Sequence, residues 1–335
     1  MAVQSTVEIP SAVSEFYDRT LLDRALPELN HELFGQIRPL ETAMGLIIKF
    51  RRYNALTTTV TPLTEGVPPS SDAMSKTDIT STVKTYGAYV EWTDDVELTS
   101  PDAILTELDE LEGEQAGQSI DLLRRDTLVA GTSVSYATGA QRGTVNTILT
   151  TTLCAKAHRL LRANNASWLR TYLSGSTKVG TVPIRNSFVA LTHPHVGYDV
   201  RNFTGFRGIE EYGQIQPIHE TEYGALPSAG IRFLESTHAK IYTNAGAVAT
   251  GVGGVAVQST GGTSADVYVT LIFAANAFGV VPLRGNAMKS FLKPRGSSGV
   301  ADPVDQIGTL GWKAKTTQVI LNDNFMTRIE SSASA

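Results

Sequence analysis

The sequence is nearly free of cysteine: Cys154 is the single one among 335 residues. One cysteine excludes an intrachain disulfide framework and any cysteine-rich zinc site. Cys154 lies in a helical-looking run, Leu153 to Leu161. We therefore interpret it as a buried structural thiol and not as a nucleophile.

Long apolar runs are also missing. The longest, Val267 to Leu283, contains Tyr268, Thr270 and Asn276, so it is too short and too polar to span a membrane. The first ten residues lack the basic patch and apolar core of a signal peptide. We expect a protein that is made in a reducing cytoplasm and has no membrane partner.

Positive charge is scarce. Lys and Arg number 28 against 33 Asp and Glu, which gives a net charge of −5. Tight binding to nucleic acid requires a basic surface, whereas this chain has only local clusters such as Lys49, Arg51 and Arg52. With 41% hydrophobic residues the chain is globular, and any contact with DNA is expected to be loose.

Motifs for catalysis are absent, with one weak exception. The sequence has no phosphate-binding P-loop, no dinucleotide fingerprint and no G-x-S-x-G nucleophile elbow. His193, His195 and Asp199 form an H-x-H-x-x-x-D string, which zinc could bind if both histidines pointed to one side of a strand. A zinc-dependent hydrolase is therefore one alternative, although Pro194 between the histidines favours a loop or helix cap. We predict no enzyme activity and no cofactor.

The most informative segment is Ile79 to Trp92, which is rich in Thr, Val and Tyr and therefore favours extended backbone. As one strand it would be about 45 Å long, well beyond the usual length. Its apolar side chains fall on both faces, with Val83 and Tyr89 on one side and Tyr86, Val90 and Trp92 on the other. A strand with no single dry face favours partners on both sides.

A hairpin is predicted around this strand. Thr57–Pro62 reads as a first strand, and Leu63–Lys76 reads as a Pro- and Ser-rich tip, so the hairpin covers Thr57 to Asp94. Long hairpins expose edges that proteins usually pair or cover. The segment is therefore expected to project and to contact another molecule.

A long helix should follow, from Asp102 to Ala130 and about 40 Å in length. Ser100 suits the N-cap, Pro101 the first turn and Gly131 the C-terminal stop. We interpret its clustered acids as dipole partners on a solvated face. Its apolar positions recur at helical spacing: Ile104, Leu108, Leu111, Ala116, Ile120, Leu123 and Thr127.

The remaining segments mix strands and helices without regular alternation, which predicts the α+β class. Ser14–Phe34 has helical spacing and is expected to lie either on its own domain or on a neighbour. Short buried strands are predicted at Ser187–Thr192, Ile231–Ser236 and Val267–Ala274, and the tail Trp312–Glu330 reads as one or two strands with a turn at Asn322–Asn324.

Six segments together resemble the major capsid proteins of tailed double-stranded-DNA bacteriophages, and more narrowly the coat-protein family typical of many podophages. They are TPLTEG (Thr61–Gly66), TDITSTVKTYGAYVEWTD (Thr77–Asp94), GEQA (Gly113–Ala116), LTHPHVGYDVRN (Leu191–Asn202), DPVDQIGTLGWK (Asp302–Lys313) and RIE (Arg328–Glu330). The resemblance implies the Hong Kong 97-type capsid fold, in which an arm and an extended hairpin, the E-loop, precede a peripheral domain with a spine helix and an axial domain.

The resemblance implies these boundaries: N-terminal arm 1–56, E-loop 57–98, spine helix 99–131, mainly axial domain 132–310, and C-terminal strands 311–335 that return to the peripheral domain. It also implies self-assembly into hexamers and pentamers that form an icosahedral shell around DNA, located in the virion after synthesis in the host cytoplasm. Expected partners are further copies, a separate scaffolding protein, a portal protein and decoration proteins. An encapsulin-like compartment is a second alternative. The candidate inter-subunit contacts are Glu65, Lys76, Lys84, Tyr86, Tyr89 and Trp92.

Overall fold

Two β-sheets bridged by one long helix form the framework of the protein. The computed structural model describes residues 30–58, 60, 62–68, 71–99, 104–169, 187–212, 217, 219–250, 255–285, 287–297 and 304–335. The helices are α1 (Asp94–Thr99), α2 (Ile104–Val129), α3 (Thr151–Ala163) and α4 (Pro194–Arg201). The strands are β1 (Gln36–Ile37), β2 (Ile47–Tyr53), β3 (Lys76–Thr82), β4 (Lys84–Thr93), β5 (Val134–Tyr136), β6 (Phe188–Thr192), β7 (Arg207–Gly208), β8 (Glu222–Leu226), β9 (Ile231–Glu235), β10 (Ile241–Tyr242), β11 (Val267–Phe273), β12 (Phe278–Pro282), β13 (Met288–Lys293), β14 (Ile307–Ile320) and β15 (Met326–Ser331).

The eight-stranded sheet holds most of the core. Its order is β5-β15-β11-β6-β9-β8-β7, with β10 also on β11. Every residue of β6 and β11 is buried, because α3 and α4 cover one face while the end of α2 covers the other. This double coverage explains why these strands are continuous apolar runs, and the strands predicted there are confirmed, as is the α+β class.

The five-stranded sheet is built around β14, which has 14 residues. β4 pairs with one side of β14, while β13 and β12 pair with the other, and β1 extends the sheet beyond β12. Helix α2 packs on one face through Ala116 and Ile120, which contact Trp312 and Ala314. The opposite face carries no helix among the described residues.

Helix α2 joins the two sheets, since its middle packs on the five-stranded sheet and its end, Leu128 and Val129, packs on the eight-stranded one. The predicted apolar stripe is partly wrong, because Leu111 is 57% exposed and Leu123 is 39% exposed. The solvated-face interpretation of the acids is also wrong for Asp109 and Glu112, which are buried. The predicted cap at Ser100, Pro101 and Asp102 lies outside the described residues.

The extended segment is two strands and not one. β3 pairs with β2, whereas β4 pairs with β14. Val83 separates them: its N–H donates to the carbonyl of Leu46 at 2.8 Å and its side chain packs with Leu40 and Val281. The chain therefore changes its pairing strand at Val83, from β2 to β14. The backbone stays extended on both sides of this residue.

The first arm of the hairpin was also misplaced. It is β2, at Ile47–Tyr53, inside the predicted arm 1–56, while the described part of Thr57–Pro62 forms no strand. The loop between the arms is consequently longer, covering 54–75. After β14 and a 3-10 turn at Asp323–Phe325 the chain enters the other sheet, where β15 lies between β5 and β11.

Two further details concern segment ends. Most of the predicted helix Ser14–Phe34 lies outside the described residues, and its described end is a single 3-10 turn, Asn30–Glu32. Gly131 follows the end of α2 without a left-handed backbone. Its lack of a side chain serves packing instead, because a Cβ there would lie 2.8 Å from Oδ1 of Asp323. Among the described helices, none has the length and apolar character needed to cross a bilayer.

Candidate assembly surfaces

The hairpin loop presents apolar side chains to solvent. Leu56, Leu63 and Val67 are 60%, 74% and 61% exposed. Such a concentration of exposed apolar groups is typical of a contact surface. The strands beneath it are held in register from Ile47 opposite Thr82 to Tyr53 opposite Lys76.

The predicted contact residues fall into two groups. Glu65, Lys76 and Lys84 are exposed, and Lys76 lies 3.9 Å from Asp78, which Arg51 also binds at 2.9 Å. That hydrogen bond to Arg51 lowers the pKa of the Asp78 carboxyl. All of these groups remain accessible to a partner.

The aromatic residues of β4 alternate between the faces of the sheet. Tyr89 is 67% exposed on the open face, whereas Tyr86 is half-buried against α2. Trp92 is 6% exposed and its Nε1 donates to Glu97 at 3.3 Å. Trp92 is therefore already packed within its own chain.

A shallow groove crosses the open face of the five-stranded sheet. Tyr89 and Phe291 flank Gly311, which is paired with both. A Cβ on Gly311 would lie 2.7 Å from Cβ of Tyr89, so glycine is needed to form the floor. The groove has a volume of about 600 Å³ and is bordered by Lys293 and Lys313. Phe291, 47% exposed, was not predicted, because its role depends on which strands meet across Gly311.

A second, more polar pocket lies at the base of the hairpin, with a volume of about 490 Å³. We call it the hairpin-base pocket. Its lining combines apolar, amide and cationic side chains: Gln36, Arg38, Ile48, Lys49, Phe50, Arg51, Arg52, Ile79, Asn276, Leu321, Asn322 and Phe325. The sequence already showed Lys49, Arg51 and Arg52 as a basic cluster, but not that they would share a concave surface.

Buried acids on α2 face the edge of β4. Glu112 faces the backbone N–H of Val90, and burial, with added repulsion from Asp109, raises the pKa of the Glu112 carboxyl to about 7. On the same helix, Gln115 accepts a hydrogen bond from Nε1 of Trp312 at 3.2 Å. The Gln115 hydrogen bond fixes the helix on β14, the strand that pairs with β4.

A buried carboxylate at the other end of α2 binds two histidines. Asp121 Oδ2 lies 2.8 Å from Nδ1 of His31 and 3.2 Å from Nδ1 of His238. Burial alone would raise the pKa of Asp121, but the hydrogen bonds and charge of His31 lower it overall. Arg124 forms an ion pair with Glu32 one turn later. The cluster ties residues 30–34 and the loop after β9 to the helix, and no sequence pattern indicated it, since His31 and Asp121 are 90 positions apart.

Two residues of the H-x-H-x-x-x-D string, His193 and Asp199, accept hydrogen bonds from backbone N–H groups. His193 is the N-cap of α4, and its Nδ1 accepts the N–H of His195 at 3.2 Å. Burial, with the charge of His195, lowers the pKa of His193 to about 4. Asp199 accepts the N–H of Ser334 at 3.0 Å. In the part of the chain that the structure describes, no three His, Cys, Asp or Glu side chains converge as a metal site, so the zinc hydrolase alternative has no support.

Comparisons place this architecture among known folds. No protein-family model and no curated protein matches the chain. The capsid of Ralstonia phage GP4 superposes with a TM-score of 0.67 at 11% identity, covering 90% of this chain and 88% of that one. The capsid of cyanophage Pam1 gives 0.59 at 12% identity, covering 92% and 93%, and that of Helicobacter pylori bacteriophage KHP30 gives 0.58 at 9%, covering 88% and 86%. The chain therefore has the fold of these phage capsid structures.

Proposed function

We propose that the chain is the major capsid protein of a tailed double-stranded-DNA phage. Copies assemble as hexamers and pentamers into an icosahedral shell that encloses the genome, and the protein resides in the virion after synthesis in the host cytoplasm. The observation that carries this proposal is the capsid fold, shared over 90% of the chain with a TM-score of 0.67. The function requires no active site.

In this proposal the hairpin lies over the neighbouring copy. Its loop, 54–75, contains Glu65 and Asp72 but no lysine or arginine, and it exposes Leu63 and Val67. The groove beside Tyr89 offers the complementary surface, apolar in the centre and bordered by lysines. Such a contact joins two different surfaces, as ring formation requires.

The two sheets support a domain assignment. The five-stranded sheet with the hairpin and α2 serves as the peripheral domain, and the eight-stranded sheet serves as the axial domain around the capsomer centre. A separate scaffolding protein, a portal protein and decoration proteins complete the set of partners. The net charge of −5 suits a wall that encloses DNA with only loose contacts.

Negative-stain electron microscopy of the purified chain tests this proposal. Closed shells or capsomer rings are expected from the wild type. Leu63→Asp should reduce their number, because it places a charge where an apolar side chain packs on the neighbour. Thr64→Asp is the matched control, since it adds the same charge at the adjacent exposed position.

Small monodisperse particles from the wild type at every concentration, both alone and co-expressed with the scaffolding protein of its phage, would contradict the proposal. If Leu63→Asp and Thr64→Asp formed shells equally well, the hairpin loop would not be part of the contact between copies. Shells that enclose an enzyme and no DNA would favour an encapsulin-like compartment.

A further inference from the structure

Charge is strongly segregated along this chain. Residues 85–123 contain 11 Asp and Glu and no Lys or Arg. Residues 33–53 show the reverse: Arg38, Lys49, Arg51 and Arg52 against Glu41 alone. Glu41 is occupied by Arg284 at 2.6 Å. The acidic and basic segments therefore do not neutralise each other locally.

The basic segment lines the hairpin-base pocket. Arg51 is paired with Asp78, but Arg38, Lys49 and Arg52 have no carboxylate within ion-pair distance among the described residues. No acid of the described chain lines the pocket, whose walls include Ile48 and Phe50. A site with apolar walls and a cationic rim suits an occupant that carries carboxylates beside apolar side chains.

Helix α1 has this composition. Its sequence, Asp94–Thr99, alternates acids with Val96 and Leu98. Val96 is 44% exposed and Leu98 is 73% exposed, so both apolar side chains project from the surface. Asp95 is also exposed. The helix is held in place by the N–H of Asp94, which donates to the carbonyl of Gln306 at 3.0 Å.

The pocket and α1 lie at opposite ends of the same strand. Thr93, just before α1, pairs with Ile307 at the start of β14, and Leu321, just after β14, lines the pocket. A strand of 14 residues is about 45 Å long. One chain therefore cannot bring its own α1 into its own pocket, whereas a head-to-tail neighbour can.

We infer that the hairpin-base pocket receives helix α1 of a second copy. The carboxylates of Asp94 and Asp95 meet the cationic rim of Arg38, Lys49 and Arg52, while Val96 and Leu98 contact the apolar walls. Glu97 takes no part, since it is paired with Arg295 of its own chain at 3.1 Å. Because the two surfaces differ, the contact is heterologous and repeats from copy to copy. This inference rests on the proposed shell function and assigns one of its contacts separately from the hairpin loop.

A charge swap tests the contact, with assembly followed by sedimentation velocity at low salt. Lys49→Glu with Arg52→Glu should weaken assembly at least about tenfold, as should Asp94→Lys with Asp95→Lys, since close charge pairs across interfaces have coupling energies above about 1.4 kcal/mol. Combining all four changes in one chain should restore assembly. Lys156→Glu with Arg159→Glu, on exposed positions of α3, carries the same charge change and should assemble like the wild type.

The outcomes separate the two proposals. If the wild type forms shells and the pocket variant forms them equally well, the pocket contact is refuted and the shell function stands. Failure of the fourfold variant to recover, while its melting temperature matches the wild type, would also refute the pairing. A wild type that forms neither rings nor shells, even with the scaffolding protein of its phage present, would overturn both.

Discussion

Replacing Glu112 by glutamine should stabilise the chain in alkaline solution and leave its stability unchanged in acid. The Glu112 side chain is 2% exposed and faces Val90 at the edge of β4. Burial and the repulsion of Asp109 raise the pKa of its carboxyl from 4.5 to about 7 in the folded chain. Glutamine keeps the size and the acceptor oxygen but cannot ionise.

The direction in which stability changes with pH follows from proton binding. The folded chain holds this proton more tightly than the unfolded chain, so its contribution to stability is complete below pH 4.5 and is lost as the pH rises through about 7. At about 1.4 kcal/mol per pKa unit the full loss is about 3 kcal/mol, and partial screening by solvent reduces it to about 2 kcal/mol. Glu112→Gln should therefore exceed the wild type by about 2 kcal/mol near pH 8.

Urea unfolding of the unassembled chain measures this difference, with the fluorescence of the buried Trp92 and Trp312 as the signal. Glu107→Gln removes one charge from an exposed position of the same helix and controls for net charge. Equal pH dependence of the wild type and Glu112→Gln would refute the reasoning. A difference that persists unchanged below pH 4.5 would show that glutamine acts through packing and not through ionisation.

Three other predictions concern single side chains. Arg142→Ala should lower the free energy of unfolding by about 2 kcal/mol in urea titrations, because it removes two charge-assisted hydrogen bonds of 2.7 and 2.8 Å from the fully buried Glu330, which retains Arg328 at 3.0 Å; an unchanged midpoint would contradict this. Gly131→Ala should destabilise the chain by about 1 kcal/mol, because the Asp323 carboxylate must move away from the added methyl and loses hydrogen bonding to the N–H of Thr132. Gly143→Ala, with nothing within 4 Å of the added methyl, should leave the thermal midpoint unchanged. Cys154, whose pKa burial raises to about 12, should resist thiol reagents until urea unfolds the chain, and rapid labelling of the folded protein would disprove its burial.

The sequence pattern predicted those elements whose environment is the same along their length. β6 and β11 were recognisable because both faces are covered, so their residues form continuous apolar runs. Helix α2 was recognisable from its spacing and length. The class and the long helix therefore followed from the sequence, as did the capsid fold through the resemblance.

The features that the sequence could not indicate are those that depend on which distant segments pack together. The break at Val83 exists because β3 and β4 pair with different strands. In the sequence, Glu112 looks like any exposed acid of a helix, and its burial follows only from the packing of β4 against α2. The burial of Trp92 likewise depends on Gly308, where a Cβ would lie 2.5 Å from the indole ring. The hairpin-base pocket combines residues from five separate segments, so the basic cluster was visible but its concave shape was not.

The pairing of β4 with β14 has a mechanical consequence. The two strands run antiparallel over ten paired positions, from Thr93–Ile307 to Lys84–Thr316. Tension that pulls the hairpin along the strand axis loads these pairs in parallel, so they must shear together and cannot separate one after another. β14 passes through a short turn into β15 of the other sheet, so the load is carried into the largest core of the molecule. In a shell under internal pressure, this seam would resist tension along the strands.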